Sequence, residues 1–258
     1  VMSISSYILV GIKRKIARAN EAALKYLLLG AFSTGFLLYG ISMLYGATGS
    51  TILPQIIDEL QKKGGDNPLV IVGIALVVIA MSFKIAIVPF HMWTPDVYTG
   101  APTPVTGFLS AAAKAAGFAV FVRVILTGIP LENANWENVF WILAVLSMTV
   151  GNLMALRQSE IKRMLAFSSI AHAGYVMIAV VVGNDSAITG VIFYSLAYAV
   201  MGTGAFGILT IKDAGGVPET YDDLAGYGVR NPLQALMMTL FMFSLIGLPL
   251  TGGFIGKL

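Results

Sequence analysis

The stretch LVIVGIALVVIAMSFKIAIVPFHMWTPDVYTGAPTPVTGFLSAAAKAAG, Leu69 to Gly117, decides the fold. It holds two apolar runs of about membrane-spanning length with a Pro- and Gly-rich break between them, and one lysine inside each, Lys84 and Lys114. A lysine at the centre of a spanning helix costs roughly 2.5 to 3.5 kcal/mol, so two in succession call for a role beyond packing. Proton handling is a role that uses a buried amine.

Working outward, the composition supports the same class. Of the 258 residues, 57% are hydrophobic and 11% charged, and the mean hydropathy is +0.83. So little charge points to an all-α, polytopic membrane protein. The absence of cysteine excludes disulfides and thiolate-held iron–sulfur clusters. Further apolar runs predict a partial helix over about 1–12, six full spans at about 23–45, 69–89, 105–126, 136–156, 161–182 and 187–211, and a helix over about 233–258 interrupted by GLPLTGGF. A short surface helix is expected at about 56–62. Both ends break off inside apolar runs, so the sequence reads as an internal piece of a longer protein.

Charge sets the orientation. If the loop carrying Lys13, Arg14, Lys15 and Arg18 is cytoplasmic, alternation puts Arg157, Lys162, Arg163, Lys212 and Arg230 on the same side, and with Lys25 that is ten of the sixteen Lys and Arg. Tyr45, Trp93, Trp136 and Trp141 are expected to mark span exits.

The polar residues inside the runs are the candidate site. Pro89 should break the helix that carries Lys84, and backbone freed at membrane depth needs cover from protein or water, so Lys84 is expected to face a polar cavity. The alternative is that its stem snorkels to an interface. Lys114, in LSAAAKAAGF, is walled in by small residues that let helices approach; it is either a proton carrier or half of a structural ion pair. Lys257 follows a second interrupted helix, and paired breaks of this kind point to transporter repeats with ion sites at the breaks. His172 shares a helical face with Ser168, Ser169 and Tyr175, a polar stripe suited to carrying protons. His91 adjoins the first break, where it lies on a proton path or bonds a freed carbonyl. Asp96 caps the helical piece after that break or pairs with a cation, with capping expected. Gly202, Gly204 and Gly207 match a dinucleotide-binding spacing, but inside an apolar span with no preceding strand they are read as helix-packing residues. Neither a metal cluster nor a nucleophile triad appears.

The segments KIAIVPFHMWTPDVYTGAPTPVTGFLSAAAKAAG, NLMALRQSEIKRMLAFSSIAHAGYVM and GLPLTGGFIGKL closely resemble the N-type antiporter-like membrane subunits of bacterial respiratory complex I, the type-1 NADH:quinone oxidoreductase. The resemblance covers essentially the whole chain and implies an antiporter-like inverted-repeat bundle with two interrupted helices. Residues 1–258 would form one proton-conducting domain truncated at both ends. It implies that Lys84 matches the lysine of the first broken helix, normally paired with a glutamate that would lie just before Val1. Lys114 would match the central relay lysine, and Lys257 the lysine of the second broken helix, near the exit side.

The function so implied is proton translocation through buried lysines, driven by electron transfer in other subunits of a translocase in the bacterial cytoplasmic membrane. This chain would hold no cofactor; NADH, FMN, iron–sulfur clusters and quinone would sit in other subunits. Its partners would be neighbouring membrane subunits, the lipid bilayer and protons, with no nucleic acid. The alternatives are a subunit of a multisubunit cation/proton antiporter or membrane-bound hydrogenase, or a structural subunit that does not conduct. A pure scaffold would gain from replacing its membrane lysines with leucine, which argues against the last.

Overall fold

The computed structural model describes residues 2–63, 67–128, 136–212 and 220–258. Among them the chain forms helices and no strand; one isolated antiparallel bridge joins Glu160 to Thr220. In order these are α1 (Met2–Val10), α2 (Ala17–Thr48), α3 (Leu53–Lys63), α4 (Pro68–Ile85), α5 (Trp93–Gly100), α6 (Thr103–Phe108), a π-helical turn (Leu109–Ala113), α7 (Lys114–Gly128), α8 (Trp136–Leu156), α9 (Ile161–Val182), α10 (Asp185–Lys212), a 3-10 turn (Asp222–Leu224), α11 (Tyr227–Arg230), α12 (Pro232–Ile246) and α13 (Gly252–Ile255).

Local chemistry sets the helix ends. Asn67 caps α4 by accepting from the Leu69 N–H at 3.0 Å, with Pro68 in the first turn, where its missing donor costs nothing. Gly49 and Gly183 close α2 and α9 in the left-handed conformation, at φ 73° and 66°, and return their N–H groups to Tyr45 and Ala179.

Among the described residues, six helices are long and apolar enough to cross a membrane: Ala17–Thr48, Pro68–Ile85, Thr103–Leu126, Trp136–Leu156, Ile161–Val182 and Ser186–Lys212. α2 starts at Ala17 rather than near residue 23 because its first turns carry Arg18, Glu21 and Lys25, which hide it from an apolar scan. The run expected to reach residue 89 stops at Ile85, where Ala86 turns left-handed. The span through Lys114 is a composite of α6, the π turn and α7. The last expected span divides into α12 and α13 at Gly247, φ 87°, and meets the preceding α11 segment at a bend of 119°.

α9 is the most enclosed of the six and lies along α8, α5 and α10. Its contact with α8 depends on two glycines: a Cβ at Gly151 would sit 2.6 Å from the Ala171 nitrogen, and one at Gly174 would sit 2.9 Å from the Met148 nitrogen. The basic loops meet at one end of the bundle, where Arg18 pairs with Glu160 at 2.7 Å, the Lys162 ammonium donates to the Ala101 carbonyl at 2.7 Å, and the Tyr221 N–H reaches the Ser159 carbonyl. Trp141 and Tyr45 are exposed as interfacial anchors should be, but Trp93 and Trp136 are buried and belong to the core.

Candidate functional site

Two interrupted helices and the face of α9 between them form the site. At the first break, Ala86 has φ 60°, a conformation that residues with a Cβ rarely adopt. The backbone freed there is satisfied by protein: the Trp93 indole donates to the Phe83 carbonyl at 2.8 Å, and the Val88 N–H donates to Ser147 Oγ at 3.0 Å. Trp93 itself stacks on Tyr26 of α2, with centroids 4.6 Å apart. The break is therefore sealed by side chains, and the space beside Lys84 lies elsewhere. Lys84 is half-buried and donates to Ser3 Oγ at 3.4 Å, in a groove of about 560 Å3 between α1, α2, α4 and α7. That groove is mainly apolar, with hydroxyls of Ser3, Ser33 and Thr34, so the expected polar cavity is only partly realised. No carboxylate pairs with Lys84 among the described residues.

Lys114 follows the π turn, which widens one turn of the span just before it; such turns occur frequently at functional sites. The side chain is 3% exposed. Its ammonium donates to the carbonyl of Ser169 at 2.7 Å and to Ser169 Oγ at 2.9 Å, and that hydroxyl in turn donates a hydrogen bond to the Ala166 carbonyl at 2.8 Å. Both partners are neutral, so the structural ion pair weighed from the sequence is not what holds Lys114. Beside it lies a cavity of about 20 Å3, room for a single water molecule, lined by Lys114, Ser169, His172, Tyr194, Ser195 and Tyr198 among others. Ser195 Oγ is buried there without a hydrogen-bond partner.

His172, which also lines this cavity, is buried, its Nδ1 hydrogen-bonded to the Tyr194 hydroxyl. Its ring lies 5.1 Å from that of Tyr198 and meets Tyr175 edge-on at 5.6 Å. Tyr175 then faces Lys257, whose Nζ lies 4.8 Å from the ring centroid. Nζ also donates to the carbonyls of Leu245 at 2.8 Å and Ile246 at 3.0 Å, acceptors in the last turn of α12. The rest of Lys257 is exposed at the rim of the bundle.

The structure thus brings Lys114, His172 and Lys257 into one chain of contacts along α9. Lys84 approaches it only through the packing of α7 on α4, where a Cβ at Gly117 would sit 2.8 Å from Ile85 Cγ2. His91 stays half-buried in the loop after α4 and does not line the cavity. Of the discarded glycine motif, Gly202 packs near Ser110 and Gly204 against the Phe241 ring, as expected, whereas Gly207 has nothing within 4 Å.

The capping expected of Asp96 is not found. α5 has no side-chain cap; Asp96 accepts instead from Lys25 of α2 and Arg163 of α9, each at 2.8 Å. Burial raises the pKa of this carboxyl, but the two hydrogen bonds and their positive charges outweigh it and hold the group below the usual carboxylate range. Sequence reasoning also missed Tyr194, Ser195 and Tyr198, because IFYSLAYAV reads as one more apolar run.

The family model described as NADH:quinone oxidoreductase/Mrp antiporter, transmembrane, matches residues 1–258. The chain is 52% identical over 259 residues to NADH-quinone oxidoreductase subunit N of Trichlorobacter lovleyi, covering 100% of this chain and 53% of that protein. It is 43% identical over 263 residues to the subunit N of Mycobacterium bovis, covering 100% and 49%. The chain spans about half the length of such relatives. Among solved structures it resembles a chain of respiratory complex I from Thermus thermophilus with TM-score 0.84 and 40% identity, covering 99% of this chain and 54% of that one. It also resembles a chain of an archaeal membrane-bound sulfane sulfur reductase with TM-score 0.91 and 28% identity, covering 99% and 52%.

Proposed function

The chain belongs to the NADH:quinone oxidoreductase/Mrp antiporter transmembrane family, and from that premise we propose that it is the proton-conducting core of an N-type membrane subunit of NADH:quinone oxidoreductase in a bacterial cytoplasmic membrane. Other subunits would carry the redox cofactors and transfer the electrons. This chain would move protons along Lys84, Lys114, His172 and Lys257.

One observation carries the reading: a single stripe of α9 presents Ser169, His172 and Tyr175, which contact Lys114, Tyr194 and Lys257 in turn. Lys114 is held by neutral acceptors, so among the described residues no carboxylate fixes its proton. His172 shares its cavity and is the group placed to take that proton and return it toward Lys257. A change of one pKa unit corresponds to about 1.4 kcal/mol, so a modest change of charge near Lys84 suffices to shift protons along the row. His91 enters this reading only as a residue beside the first break. The identity to chains named subunit N supports the quinone oxidoreductase assignment over a separate cation/proton antiporter.

The test is NADH-driven proton pumping by vesicles holding the assembled complex with His172→Phe, which keeps an aromatic ring and removes the titratable nitrogens. The expected result is at least about a tenfold fall in the rate of NADH-driven pumping at equal assembly, as removal of one positioned acid–base group would give. Parental pumping would contradict the proposed role of His172.

A further inference from the structure

Among the described residues, Lys257 is held without a carboxylate. Among the described residues its ammonium meets only the Leu245 and Ile246 carbonyls and the face of Tyr175. The approach is made possible by Gly247, which ends α12 at φ 87°: a Cβ there would lie 3.2 Å from Lys257 Cδ and 3.3 Å from Nζ. The stem of Lys257 therefore lies across the helix end, on space that a glycine leaves open. Gly256, one residue earlier, is seated as closely on Tyr194, since a Cβ there would lie 2.6 Å from the Tyr194 ring. Three elements thus converge on one point: α9 with Tyr175, α10 with Tyr194, and the segment after α13 with Lys257.

The Tyr175 ring is itself fixed. Its plane stands at 80° to the His172 ring, in an edge-to-face contact. An aromatic face carries the negative lobe of the ring quadrupole and attracts an ammonium centred over it. With two carbonyls on one side and this face on another, the cation is surrounded by fixed partial negative charge that needs no ionised partner.

We propose that Tyr175 is a positioning residue whose ring face, rather than its hydroxyl, holds the Lys257 ammonium at the His172 end of the row. The inference rests on the relay reading above and adds to it the device that keeps the second broken helix in register with α9.

The experiment uses the assembled complex in vesicles, with the rate of NADH-driven pumping normalised to assembly. Tyr175→Phe retains the face and is expected to pump within about twofold of the parent, while Tyr175→Leu removes it and is expected to lose roughly three- to tenfold. In a Lys257→Met background the Tyr175→Leu change should add no further loss. Loss in both Tyr175 variants would give the hydroxyl the role, and parental pumping in both would leave only packing; either overturns the proposal. A full additional loss in the Lys257→Met background would overturn it too, by showing that Tyr175 acts elsewhere. The same four chains give a second readout, the midpoint of thermal unfolding, in which the effects of Tyr175→Leu and Lys257→Met should be non-additive; additive shifts mean that the two residues do not interact. If Lys257→Met alone pumps like the parent while the thermal coupling persists, the relay role of Lys257 is wrong and the ring contact stands. Should Tyr175→Leu not assemble, Tyr175→Met takes its place in every comparison.

Discussion

Gly247 is the simplest residue on which to test the second break. Any side chain there must adopt φ 87° and meet the Lys257 stem at 3.2 Å. The left-handed conformation costs a non-glycine residue about 1–2 kcal/mol, and the displaced lysine adds to that. Gly247→Ala is expected to lower the stability of the purified subunit by about 1–2 kcal/mol, read as a lower unfolding midpoint, and to reduce pumping; an unchanged midpoint would mean that the helix end relaxes freely. The G in GLPLTGGF was legible as a break, yet its second task, making room for Lys257, depends on a residue ten positions away and has no local signature. Ser195 is hidden for a related reason: a hydroxyl inside an apolar run gains meaning only when a cavity is placed against it.

At the scale of elements, the first turn of α5 is tied to its neighbours by polar and aromatic contacts together. Asp96 joins it to α2 through Lys25 and to α9 through Arg163, while Trp93 reaches back to the end of α4. Because the folded-state pKa of Asp96 is depressed, the contribution of these pairs is present in full above the unfolded carboxylate value, near 3.9, and is lost as pH falls through the folded one. Asp96→Asn should therefore cost about 1 kcal/mol at neutral pH, with the gap between parent and variant closing as the pH drops below about 4. Chemical denaturation of both proteins at several pH values checks this, and a gap that widens in acid would contradict it. The sequence allowed Asp96 either role, cap or partner, and favoured the cap; the cations that decided otherwise come from helices 71 and 67 positions away in the chain. The π turn before Lys114 was likewise invisible, since LSAAA suits any helical geometry and the widening accompanies packing on α10.

Across the whole molecule, what a one-dimensional pattern can carry was readable: apolar runs long enough to cross a membrane, lysines at depth within them, and basic loops that alternate. These depend on local composition and the thickness of the bilayer. The row Lys114, Ser169, His172, Tyr194, Tyr175 and Lys257 draws on three further elements around α9, and their order in space follows from which small residues let which helices approach. Lys114, Lys257 and the α9 stripe were visible beforehand as separate features, whereas Tyr194 and the order of the row were not.

Conduction along this row requires Lys114 to be a carrier of protons rather than a peg for Ser169. The direct measurement is NADH-driven acidification by vesicles holding the assembled complex with Lys114→Ala, compared at equal assembly with the parent. Loss of at least about nine-tenths of the pumping, with NADH oxidation slowed alongside, is the predicted result, because a coupled relay that lacks its central group cannot turn over. An assembled variant that oxidises NADH and pumps as the parent does would make Lys114 structural and remove the centre of the proposed path.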